Sequence, residues 1–183
     1  MKKYLTFTSR AAIAAIATAS LCLISVANAT EENAVSPDAK AKSNLSVNDK
    51  KFVKKAYRGG MEEVENGKVA KEKAKNDATK DVADRMVTDH TKANEDLMGI
   101  AKEENLDLSK IHVKAMTISG DNFDKEYLTM LKKDHEKDIA EFEKEAGDTG
   151  AKEDSDVVAF AKKTLPTLKE HLKMVEDALE KVK

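Results

Sequence analysis

Four stretches of the chain repeat apolar residues at intervals of three and four, a pattern that can be buried only by packing helices side by side. The seams run Ala56, Gly60, Glu63, Gly67, Ala70 and Ala74; then Ala83, Met86, His90, Ala93 and Leu97. The third is Leu128, Leu131, His135, Ile139 and Phe142, and the fourth is Ala161, Leu165, Leu168, His171, Val175 and Ala178. Between them stand Lys, Glu and Asp, the composition of solvated helix faces. With no Trp and only two Pro in 183 residues, nothing competes with an all-α fold.

The punctuation predicts the boundaries. Ser46 followed by Asp49 is a capping-box-like start for a first helix reaching about Lys75. Asn76-Asp77 and Thr79 mark a break before a second helix ending near Glu104. Residues 105–121 form a long connection, with a short helix expected from His112 to Ile118 and Asp121 as the next cap. The third helix should end at Gly147 as a C′ glycine, and DTGAKEDS leads to a fourth from about Asp154 to Val182. Pro166 predicts a kink or break in it, and Gly59-Gly60 a close approach by another helix.

Residues 1–29 are patterned differently. Lys2, Lys3 and Arg10 precede an uncharged run that ends Ala27-Asn28-Ala29, the three parts of a cleavable secretory signal. The run is short and weakly apolar for a membrane anchor, so no stable membrane insertion is expected after cleavage. Cys22, the one cysteine, follows Leu21 rather than the small residue a lipidation signal requires. The expected product, periplasmic or secreted, therefore has no disulfide and must be stabilised by packing. Losing three basic residues leaves 29 basic against 34 acidic, a net charge near −5 that argues against nucleic acid. Residues 30–45 lack periodicity, contain Pro37 and read as a flexible leader to one domain over 46–183.

Each seam carries one ionisable residue near its midpoint: Glu63, His90, His135 and His171. Midpoints meet in a bundle whichever way each helix points, so the four can converge. His112, in the connection, stands apart.

The runs GGMEEVENGKVA, MVTDHTKAN, SGDNFDKEYL, DHE and LPTLKEHL resemble the bacterial family called domain of unknown function 4142, over roughly residues 47–180. Its E-V-E-x-G-K stretch falls on Glu63 to Lys68, its D-H on Asp89 and His90, its F-D-x-x-Y on Phe123 to Tyr127, and its L-P-x-L-x-x-H on Leu165 to His171. The resemblance implies an exported, ferritin-like four-helix bundle with a long connection between the second and third helices, and no established activity. A 17-residue connection suits a crossover along the bundle.

Three imidazoles and a carboxylate in a dry interior suit a single Zn, Cu or Fe ion, in a closed site serving metal handling or envelope stress. The same cluster also suits a buried polar network in a structural or protein-interaction module, with a protein as its partner. Asp89, Asp134 and Glu170 point about 100° away around their helices and are expected to orient neighbours or face solvent. A di-iron oxidase is not expected, because Glu-x-x-His is absent: Val87, Lys132 and Leu168 stand three residues before the histidines. No enzyme activity is expected. Met86, Met130 and Met174 would lie on one side of the cluster if the second and third helices run parallel, a copper(I)-like set whose alternative is core filling.

Overall fold

The computed structural model describes residues 43–118, 122–147 and 155–182; the segment expected to be a signal, residues 1–29, and most of the expected leader lie outside them. Four helices make up the domain: α1 (Val47–Lys73), α2 (Asp77–Glu103), α3 (Phe123–Ala146) and α4 (Asp156–Leu179). No strand occurs among the described residues, and no described helix is long and apolar enough to cross a membrane.

Each helix starts on the side chain its sequence supplies. Ser46 accepts from Asp49 N while the Asp49 carboxylate accepts from Ser46 N, a complete capping box. Asn76, Asn122 and Ser155 cap α2, α3 and α4 by accepting from Ala78, Lys125 and Val158 N–H groups. The α3 cap is thus one residue beyond Asp121, which lies outside the described residues. Asn105, at φ 53°, ends α2: its N–H donates to Lys102 O and the Leu106 N–H to Ala101 O at 2.7 Å. That is a Schellman motif, and it turns the chain into the crossover.

Three expectations are corrected. Residues 111–118 form no helix. Instead, the Met116 N–H donates to Asn66 Oδ1 at 2.6 Å, which ties the segment to α1. The break expected at Pro166 is absent, since α4 continues through it; Pro166 is exposed together with Lys162, so water can satisfy the carbonyl the proline frees. Gly147 caps α3 at φ −99°, a conformation open to any residue.

Two apolar layers give the topology. One gathers Val53 of α1, Leu97 and Ala101 of α2, Phe142 of α3, and Val157 and Phe160 of α4. The other gathers Ala70, Val82, Met86, Tyr127, Leu131 and Val175. The end of α2 therefore shares a layer with the end of α3, and their starts share the other. Helices α2 and α3 run parallel and α1 and α4 run the opposite way, so the connection that leaves α2 at residue 104, described as far as 118, leads from one layer toward the other. A 27-residue helix is about 40 Å long, which an extended link of this size covers. This is the all-α four-helix bundle with a crossover expected from the sequence.

The domain begins slightly before Ser46. Leu45 is buried in the first layer, and Ser43 Oγ and Asn44 N both donate to Glu104 Oε2. At the other end Asp124, buried, accepts from Lys75 N and Asn76 N, tying the α1–α2 turn to the start of α3.

Candidate metal centre

Between the apolar layers lies a polar one, with Glu63 from α1, His90 from α2, His135 from α3 and His171 from α4. All four are buried, His135 completely and His171 to 1% exposure. One nitrogen from each histidine lies within 4.8 Å of the others. His112 is exposed on the crossover, away from this set.

The ring orientations are set from outside the cluster. The His135 Nδ1 is 3.0 Å from Leu131 O, one turn back on its own helix; a carbonyl only accepts, so Nδ1 carries the hydrogen. The His171 Nε2 is 2.9 Å from Asp89 Oδ2. Burial would raise the Asp89 carboxyl, but hydrogen bonds from His171 and then Arg85 hold it below the usual range, so it is ionised and accepts. Burial, reinforced by His90 and His135, brings His171 down to about 4 despite Asp89, so its ring is neutral and its one hydrogen sits on Nε2. The lone pair of His171 Nδ1 therefore faces His135 Nε2 at 3.3 Å.

Glu63 meets the other side. Its Oε2 is 2.7 Å from His90 Nε2 and its Oε1 is 3.5 Å from His135 Nδ1. The first contact is close but poorly aligned, which leaves both carboxylate oxygens and His90 Nε2 without an aligned hydrogen-bond partner. Burial alone would push the Glu63 carboxyl up; the charges of His90 and then His135 outweigh it and hold it at about 2. Burial works against a charged His90 as well, but Glu63 overrides it and holds the ring above its ordinary value.

The structure thus brings together all four residues singled out from the sequence. Asp89 orients a neighbour, as its angle predicted, and the neighbour is on α4. Glu170 is exposed, 3.5 Å from Arg85 Nη2. Two contributors were not visible from the seams. Asp138, three residues after His135, is half-buried with its carboxyl raised to about 7 by burial and by the charges of Glu63 and Glu141. The Tyr127 hydroxyl, buried without a hydrogen-bond partner, lies about two turns before His135 on the same helix. The spacing His135-x-x-Asp138 was the one available signal, and on a helix dense in acids it looks like solvated surface.

The methionines take the topology's side. With α2 and α3 parallel, Met86, Met130 and Met174 all pack in the layer that holds the start of α3, Met86 fully buried and the others half-buried. Their surroundings there are apolar, which is the environment of core filling.

No curated protein and no solved structure matches the chain. The family model described as domain of unknown function (DUF4142) matches residues 34–178, a span that takes in all four cluster residues, and the chain belongs to that family.

Proposed function

We propose that this protein is exported and holds a single divalent transition metal at Glu63, His90, His135 and His171, acting in metal handling or envelope stress rather than as a catalyst. One observation carries the reading: two imidazole nitrogens face each other at 3.3 Å with their hydrogens committed outward. Two lone pairs repel unless a cation lies between them, either a proton or a metal ion. A tetrahedral ion with Zn–N bonds of about 2.0–2.1 Å separates its ligands by about 3.4 Å, nearly the distance found. The outer partners, Leu131 O and Asp89, are the arrangement that orients imidazole ligands toward a metal. The three histidine nitrogens lie close enough to share one ion, Glu63 beside His90 would supply the fourth donor, and a set closed by protein donors is the form of a structural site rather than a catalytic one.

The competing reading places a proton in the same position and makes the cluster a polar network that sets the bundle's register. Elemental analysis of the exported protein, with melts before and after chelation, separates the two. Near-stoichiometric metal, lost together with thermal stability, supports the proposal and names the element. His135→Ala should then abolish uptake and lower the melting temperature only when metal is present. If His135→Ala destabilises equally with and without chelator, and no metal is found, the polar network stands.

A further inference from the structure

Among the described residues, openings on opposite sides of the bundle lead from the surface toward the polar layer, and they differ in charge. The opening between α2 and α4 has a volume of about 160 Å³ and ends on Asp89. Its acids are already neutralised: Arg85 Nε is 2.6 Å from Asp89 Oδ2 and Lys163 Nζ is 2.8 Å from Asp96 Oδ2, with Lys92 as a further cation. A cation approaching there meets fixed positive charge.

The opening between α1 and α3 has a volume of about 150 Å³ and ends on Glu63 itself. Carboxylates line it at increasing depth: Glu62 exposed, Asp134 and Asp138 half-buried, Glu63 buried. Asp138 also lines a small inner cavity of about 20 Å³ beside His90, so it stands at the boundary between groove and cluster. Among the described residues neither Asp134 nor Asp138 has an ion-pair partner, while the mouth residue Lys55 is committed to Glu141. The remaining cations of the groove, Arg58 and Lys137, are exposed at its mouth. Met116, held over the opening by Asn66, makes the crossover part of the rim. The decisive feature is Glu63: a buried carboxylate, its oxygens without aligned hydrogen bonds, lining this groove and in contact with His90 and His135.

We propose that a divalent transition-metal cation enters through the α1/α3 groove, with Asp134 and Asp138 as relay carboxylates that hand it to Glu63. This rests on the reading of the cluster as a metal site. Carboxylates with no cation of their own replace part of the ion's hydration as it moves inward, and with the groove's cations exposed at its mouth, the acids deeper in raise the local concentration of a metal ion. The imidazoles then complete the coordination, displacing any proton between His135 and His171.

The test is stopped-flow uptake of Co²⁺ by metal-depleted full-length protein, followed by the visible absorption of the tetrahedral ion. The double variant Asp134→Asn/Asp138→Asn should load about tenfold more slowly, with the amount bound at saturation unchanged. Arg58→Ala, which removes an exposed mouth cation, should load faster, and Asp96→Asn in the opposite opening should match the parent. Equal rates for the double variant and the parent, or equal slowing by Asp96→Asn, would overturn the route while leaving the site intact. Failure of the parent itself to bind Co²⁺, Zn²⁺ or Cu⁺ would overturn the site, and the route with it.

Discussion

Asp138 costs the folded state stability. Its carboxyl titrates near 7 in the native protein against an ordinary 3.8, because burial and the charges of Glu63 and Glu141 disfavour the anion more than His90 and Lys137 favour it. The native state therefore binds the proton more tightly than the unfolded chain does. Stability falls as pH rises from about 4 to about 7 and is level above that on this account. Asp138→Asn should raise the melting temperature by a few degrees at pH 8 and by much less at pH 4, read by thermal denaturation of the metal-depleted protein. Slower metal loading in the same variant would mean that the acid serves entry at the expense of stability. The histidines were legible because a polar residue in an apolar seam violates a strict period. Asp138 was not, because one more acid on a charged face violates nothing.

At the scale of elements, glycines show where helices touch. A Cβ on Gly67 would lie 2.8 Å from Val87 Cγ2 and 3.1 Å from Ala83 O, so α1 and α2 meet there with no room for a methyl group. Gly60 makes room for the Asn94 side chain, whose Oδ1 would be 2.5 Å from an added Cβ, whereas Gly59 makes only an ordinary contact with Asp138. The close approach expected of the Gly59-Gly60 pair thus belongs to Gly60. Gly67→Ala should destabilise by about 1–3 kcal/mol through overpacking, against a helix-propensity gain of about 1 kcal/mol. Gly99→Ala, with nothing within 4 Å, should stabilise by about 0.5–1 kcal/mol, and urea denaturation of the pair checks both signs. The Ser46 cap and the break at Asn76-Asp77 were readable because capping and chain-breaking are local chemistry. The course of residues 111–118 was not, since its partner, Asn66, lies 50 positions away in sequence.

For the whole molecule, a metal bound only by the folded state links the cluster to global stability. Zn²⁺ at about 100 times its dissociation constant should add roughly 2.7 kcal/mol, a shift on the order of 10 °C in melting temperature. Because the ligating imidazoles must be neutral and Glu63 holds His90 above its ordinary 6.5, this shift should begin to shrink above that pH as the solution is acidified. A metal-induced shift that stays constant from pH 8 to pH 5 would place the ion elsewhere.

Periodicity determined that this chain makes four helices and that each carries one ionisable residue near its middle, and the capping residues placed their starts to within about two positions. Those are properties of residues three or four apart, and short-range spacing is enough to specify them. That α2 and α3 run parallel, that Asp89 on one helix orients His171 on another, and that the α1/α3 groove rather than its α2/α4 counterpart keeps its acids unpaired were decided only by the tertiary structure. Each depends on which helix lies beside which, a relation between residues tens of positions apart that no local pattern encodes.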